Sequence, residues 1–286
     1  LGKLQLPITK EHRAKNYPVI MQHHGPILHL IVKNHTNILK TMKFKSIPPL
    51  TLAFFAGVFM LVACSFSSEN RDNVQDDERI SRTFNYKNFE RLSIGSAFEI
   101  NVTKGNYSVK VEGRKQDLED LEADVAGAKL RIRYKDSHSW SRNRKRVTVT
   151  ISMPTLKGLD LSGATTSKIS GFNDLGTLDL DISGASKSDI QVKAQKIIMD
   201  ASGASTINLT GSANRIEGEV SGATSLRAYD FPVKDAFLDV SGASSIKVSV
   251  SGKLEVEASG ASSVRYRGTA SVRSSTSGAS SVKSES

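Results

Sequence analysis

Cysteine is almost missing from this chain: Cys64 is the only one in 286 residues. That excludes an intramolecular disulfide, a CxxC redox pair and a cysteine-built zinc site. Histidine is scarce where it would matter. Five of the six (His12, His23, His24, His29, His35) precede residue 64, leaving only His138 beyond it. A zinc site needing two histidines in the body is therefore excluded. So is a Ser-His nucleophile pair within residues 159–286, which hold no histidine. Long apolar runs are lacking too. The main one, Leu50 to Ala63, is broken only by Thr51. It is too short for a bilayer core, which needs roughly 20 residues.

Charge is present but unevenly placed. The formal net charge is +10 and the pI about 9.6, which invites a nucleic-acid reading. Residues 1–63 hold eight basic groups and one acid, Glu11. The remainder keeps 31 of the 39 basic and 28 of the 29 acidic residues, a net +3. The body is nearly neutral, and nucleic acid is not the expected partner.

The front of the chain reads as an address. Lys43 and Lys45 precede the apolar run, as in a signal peptide. The run ends in Leu61-Val62-Ala63-Cys64, which resembles the lipobox of bacterial lipoproteins. In that family the bond before the cysteine is cut and the cysteine is lipidated, so Cys64 is the expected lipidation site. A buried apolar helix with a core cysteine is the plainer alternative. On the lipoprotein reading, residues 42–63 are the signal peptide and Met42 the natural start. Residues 1–41 are then an upstream extension outside the gene product; a cytoplasmic extension before a membrane anchor is the other possibility. Residues 64–83 are polar and read as a disordered tether. Ser65 after the cysteine, where an aspartate would resemble an inner-membrane retention signal, favours the outer membrane.

From Phe84 onward the chain reads as all-β. Residues 84–158 form a less regular β region. Phe98–Val102, Tyr107–Val111, Leu130–Tyr134 and Val147–Ile151 alternate with period two, the mark of half-buried strands. Lys104-Gly105-Asn106 suggests a hairpin turn. Leu118, Leu121 and Val125 suggest a short helix over 117–126.

Residues 159–286 carry a repeat. Ser-Gly-Ala recurs at Ser162-Gly163, Ser183-Gly184, Ser202-Gly203, Ser221-Gly222, Ser241-Gly242, Ser259-Gly260 and Ser277-Gly278, about every 19 residues. With the serine as position 0, apolar residues recur at −3 and −1 and again at +5 and +7. In the first two units the second apolar pair is displaced, to Ile169 and to Ile190/Val192. Each unit is a strand, a Ser-Gly-Ala bend, a strand and a turn. That length suits one coil of a parallel β-helix rather than a propeller blade. About seven coils stacked about 4.8 Å apart would bury a continuous core that no single coil could. Parallel crossovers favour a right-handed path, although short-coil β-helices include left-handed examples. The corner serines are expected to form a hydroxyl ladder along the stack.

The order of these features is similar to the family of putative auto-transporter adhesin, head GIN domain proteins. These are envelope proteins common in Bacteroidetes, many with lipoprotein signals. The likeness runs from about Phe89 to Ser286. It rests on Leu92-Ser93-Ile94-Gly95-Ser96-Ala97-Phe98-Glu99-Ile100, on Met153-Pro154-Thr155-Leu156 and on the serial Ser-Gly-Ala-Ser/Thr units. The resemblance implies a β-helical fold at the cell surface or in the periplasm. It brings no catalytic residues and no cofactor.

Two charge ladders run along the repeat. Position −2 reads Asp160, Asp181, Asp200, Glu219, Asp239 and Glu257. Position +6 reads Asn208, Arg227, Lys247, Arg265 and Lys283. Like charges about 4.8 Å apart repel by roughly 0.9 kcal/mol in bulk water, so something must compensate. The ladders could neutralise each other across the corner. The acids could instead bind divalent cations, or the bases an acidic glycan or lipid headgroup. A second candidate contact is the loop 135–146, with Trp140, Arg142, Arg144, Lys145 and Arg146.

The expected function is a non-enzymatic, lipid-anchored envelope protein serving adhesion or surface assembly. A β-helical polysaccharide-active enzyme or an envelope signalling component are the alternatives. The expected partners are the membrane through the lipid, a glycan or surface polymer, and further copies of the chain capping an open solenoid end.

Overall fold

The computed structural model describes residues 78–135 and 144–285. Cys64, the lipobox, Trp140 and Arg142 lie outside them. Among the described residues no helix is long and apolar enough to cross a membrane.

The described chain is nearly all strand. In order the elements are β1 (Arg79–Phe84), β2 (Arg91–Ile94), β3 (Phe98–Lys104), β4 (Ser108–Arg114), α1 (Lys115–Glu119), β5 (Leu121–Ala126), β6 (Lys129–Tyr134), β7 (Val147–Met153) and β8 (Gly158–Leu161). Five long strands follow: β9 (Thr166–Ile182), β10 (Lys187–Ala201), β11 (Thr206–Val220), β12 (Ser225–Val240) and β13 (Ser245–Ala258). The last are β14 (Ser263–Arg267), β15 (Ser271–Thr276) and β16 (Ser281–Ser284).

From β8 onward every pairing is parallel, and each coil lies on the one before. The result is a β-solenoid of about seven turns. Alternation drives it: at each coil the odd positions point in and stack by column. Leu178, Ile197, Ile216, Ala236 and Leu254 form one column, and Ile182, Ala201, Val220, Val240 and Ala258 another. Each fully buried Ile or Leu stabilises the stack by about 1.5–3 kcal/mol.

The corners explain the Ser-Gly-Ala signature. Glycine at +1 lies at positive φ in every unit, for example 72° at Gly260. Backbone also passes very close there: a Cβ on Gly260 would sit 2.6 Å from the Gly242 carbonyl oxygen one coil below. The alanine N–H then donates to that carbonyl, as Ala261 does to Gly242 at 2.8 Å. The hydroxyl ladder lies elsewhere than expected. It belongs to position +3, not position 0. Ser186, Ser205, Ser244, Ser262 and Ser280 are the hydroxyls that donate back to the carbonyl of the corner serine, at 2.7–3.0 Å. The apolar pair is also not displaced in the first two units. Ile169 and Ile190 keep position +7, while +5 is Ser167 and Ser188, buried and hydrogen-bonded to each other at 2.9 Å.

The region before the repeat is part of the same sheet. β2 and β3 stack on β8 and β9, with Leu92 opposite Leu159 and Ile94 opposite Leu161. Gly95-Ser96-Ala97 makes the corner, and Ser96 takes the left-handed conformation (φ 82°) that glycine holds elsewhere. β6 and β7 lie below in parallel. Antiparallel strands then close this end: β5 on β6, and β4 on β7 with β1 outside it.

Several local expectations change accordingly. Lys104-Gly105-Asn106 does not close a hairpin, because β7 lies between β3 and β4. The helix covers only Lys115–Glu119, and Leu121–Ala126 is strand β5. Gly127 and Ala128, both at φ 58°, form the tight turn that pairs β5 with β6. Arg79 to Thr83 fall within the expected tether but pair with β4 instead, with Ile80 half-buried against the core. At the other end every residue of β15 is exposed, Val272 at 37%.

Candidate functional site

Strand alternation points the two ladders outward. On the −2 column Asp181, Asp200, Glu219, Asp239 and Glu257 are exposed and Asp160 half-buried. Strand register places them directly above one another. On the +6 column Arg227, Lys247, Arg265 and Lys283 stack likewise, with Lys168, Asp189 and Asn208 continuing the line below.

The ladders flank the same corner but do not pair across it. Among the described residues no ion pair joins a −2 carboxylate to a +6 cation. Nearby cations are taken by the −4 column instead: Lys196 and Arg215 by Glu217 (2.7 and 2.6 Å) and Lys253 by Glu255 (2.7 Å). Asp160 accepts a hydrogen bond from the Ser93 hydroxyl at 2.8 Å. Partial burial, and then the flanking Asp160 and Asp200, hold the Asp181 carboxyl above the usual carboxylate range. Among the described residues no group of three or more His, Cys, Asp or Glu side chains is placed to hold a metal ion. A spacing of about 4.8 Å with one carboxylate per coil spreads the oxygens along a line rather than around a point.

A shallow groove of about 580 Å³ runs along the acidic face. Asp200, Glu219, Asp239 and Glu257 line it, beside Ile198 and Phe237. Ile198 is 41% exposed, rare for a large apolar side chain here. Phe237 lies under two cations, Arg215 (4.2 Å) and Lys253 (5.1 Å).

The basic face has its own aromatic. Tyr229 sits in the bulge between Ala228 and Pro232, in the unit that runs 20 residues from Ser221 to Ser241. Arg267 stacks over its ring at 4.2 Å and Lys247 at 5.6 Å. Its hydroxyl donates to the Glu285 carboxylate, which also lies 3.8 Å from Arg265. Burial first, and then Glu285, push the phenol up to about 12. This cluster was not visible in the repeat, because Tyr229 occupies an inserted position and Glu285 lies three coils away.

The loop candidate divides. Arg144 packs its guanidinium 3.6 Å over Tyr134 and lies 3.5 Å from Asp120. The Lys145 N–H donates to Asp117 at 3.3 Å. These two residues anchor the loop's end to the cap. Arg146 is exposed, while Trp140 and Arg142 are outside the described residues.

Shape and charge together define a repeat protein with long solenoid faces, on which each outward column places one side chain per coil. Comparison with known proteins agrees. The chain belongs to the family "Putative auto-transporter adhesin, head GIN domain", whose model matches residues 88–270. Solved structures share the fold. A "putative adhesin" from Bacteroides fragilis is 22% identical, with a TM-score of 0.69, over 73% of this chain and 98% of that one. A "putative adhesin" from Parabacteroides merdae is 16% identical, with a TM-score of 0.59, over 73% and 97%. A "putative lipid binding protein" from Parabacteroides distasonis is 16% identical, with a TM-score of 0.51, over 73% and 97%. No curated protein matches. The family and these neighbours carry adhesin or binding names rather than an enzyme's. The family name places the chain among proteins of the cell envelope or surface.

Proposed function

We propose that this chain is a non-enzymatic, lipid-anchored protein of the outer membrane that presents its solenoid for adhesion or surface assembly. Cys64 is the anchor, and residues 42–63 are removed when it is lipidated. The partner is an acidic glycan or surface polymer lying along the basic face.

The observation that carries this reading is the column Arg227, Lys247, Arg265 and Lys283, one cation per coil. A flat row spaced about 4.8 Å apart suits an extended polyanion better than a small molecule, which needs a concave site. Tyr229 beside the row supplies a ring for a sugar face. An anionic lipid headgroup shares this chemistry, and the P. distasonis neighbour is named a "putative lipid binding protein". The alternative, a polysaccharide-active enzyme, finds little support in coils whose corners are four residues long.

Two measurements test the proposal. Surface accessibility on intact cells should be lost in Cys64→Ala; an unchanged signal overturns the anchor. Binding of an acidic polysaccharide, its neutral analogue and vesicles of anionic lipid should be compared in the wild type and in Arg227→Ala/Lys247→Ala/Arg265→Ala/Lys283→Ala. Acidic polysaccharide alone should bind the wild type and lose the quadruple variant. Binding to vesicles only would move the ligand to the membrane, and product release from the polysaccharide would restore the enzyme reading.

A further inference from the structure

The two ladders are complementary in more than sign. Both take their spacing from the same strand stacking, so their charges recur with one common period. They also overlap in height. Glu219 and Arg227 flank the corner at Ser221, Asp239 and Lys247 that at Ser241, and Glu257 and Arg265 that at Ser259. Each cation lies eight residues after its carboxylate, and among the described residues no ion pair joins the two across the corner. What projects between them is small: the exposed corner residues are Gly222-Ala223, Gly242-Ala243 and Gly260-Ala261. The remaining exposed or partly exposed side chains between the ladders are serines, Ser221, Ser241 and Ser259 at the corner and Ser225, Ser245 and Ser263 after it, so nothing larger than a hydroxymethyl group keeps another surface away from this ridge.

The geometry points to a second copy of this chain docking ridge to ridge, acidic ladder against basic ladder. A two-fold axis parallel to the solenoid axis brings this about. Seen from one copy, the acids lie on one side of the ridge and the bases on the other. Rotation by half a turn about such an axis sets the partner's bases opposite these acids and its acids opposite these bases. Coils stay level, because the axis runs along the stack. Glu219, Asp239 and Glu257 of each copy then face Arg227, Lys247 and Arg265 of the other, three contacts on each side of the axis. The interface is isologous and closes at two copies, without growing into a fibre. It also brings opposite charge to the acidic ladder, which among the described residues meets no cation of the basic ladder within one molecule; on the basic side Arg265 already lies 3.8 Å from Glu285. A second copy matches the period by construction, because both ladders take it from the same stacking.

This inference stands apart from the glycan reading, although the two share the basic ladder. A polyanion on that ladder would compete with the dimer.

The test uses the purified full chain in analytical ultracentrifugation. Two triple variants keep the corner intact: Glu219→Lys/Asp239→Lys/Glu257→Lys and Arg227→Glu/Lys247→Glu/Arg265→Glu. The wild type should dimerise at about 10 mM salt, where charges are felt over roughly 30 Å, and dissociate at about 1 M, where the range is roughly 3 Å. Its dimerisation constant should weaken by at least about tenfold between the two. Each triple variant alone should be monomeric at low salt, with an unchanged circular dichroism spectrum. Mixed together they should form a heterodimer, since over the three coils at Ser221, Ser241 and Ser259 one then carries only positive and the other only negative ladder positions. A monomeric wild type at low salt overturns the proposal. So does a dimer that survives in either variant, or a mixture that stays monomeric.

Discussion

Gly260→Ala separates two reasons for a corner glycine, and three glycines together make the comparison quantitative. Gly176 has ordinary φ and nothing within 4 Å of where a Cβ would sit. Alanine there should be neutral or stabilising by about 0.4–1 kcal/mol, through a less free unfolded chain. Gly127 has φ 58° but equally open space. Alanine there meets only the left-handed backbone, at a cost of about 1–2 kcal/mol. Gly260 has φ 72° and, in addition, the Gly242 carbonyl oxygen 2.6 Å from the new methyl. That oxygen cannot retreat freely, because it accepts the Ala261 N–H at 2.8 Å. Overpacking of this kind adds about 1–3 kcal/mol, so the total loss should be about 2–5 kcal/mol. Urea denaturation followed by far-ultraviolet circular dichroism measures all three. Repeat proteins can unfold in stages, so the midpoint shifts should be compared at matched slope. If Gly260→Ala costs no more than Gly127→Ala, the close backbone approach is not what selects glycine at the corners.

Asp117→Ala should cost about 1.5–3 kcal/mol by removing the charge-assisted bonds that its carboxylate accepts from the buried Arg114 guanidinium at 2.7 and 3.2 Å; thermal denaturation measures this. Asp181→Asn should raise the melting temperature at pH 7. The Asp181 pKa is raised in the folded state, so its contribution is complete below the ordinary value of 3.8 and is lost as pH rises through the folded value. The gain from asparagine should accordingly vanish in scans below pH 3.8. In the hydroxyl ladder, Ser205→Ala should cost about 1 kcal/mol by removing its bond to the Ser202 carbonyl. Thr224→Val should cost nothing or stabilise, because the Thr224 hydroxyl is buried without a hydrogen-bond partner. Equal losses in those two variants would refute the distinction.

Much of the solenoid was legible because its physics is periodic. A buried column needs an apolar residue once per coil, so the core writes itself into the sequence at a fixed interval. The same holds for the outward charges. The coil at Gly95-Ser96-Ala97 was harder to see, since serine and glycine exchange places and Ser96 takes the positive φ. The strand at Leu121–Ala126 was hidden for a different reason. Its Leu121 and Val125 continue a helical spacing that begins at Leu118, and only pairing with β6 makes it a strand.

The sequence by itself determined the coil length, the inward and outward columns and the family, because each follows from residue type at a regular spacing along one chain. Only the tertiary structure decided what meets what. It placed β6 and β7 beneath β2 and β3 against chain order, moved the hydroxyl ladder to position +3, brought Tyr229 to Glu285 across three coils and left the two charge ladders unpaired. Those outcomes depend on distances between coils and across corners. Spacing along the chain does not encode such distances until the stack has formed.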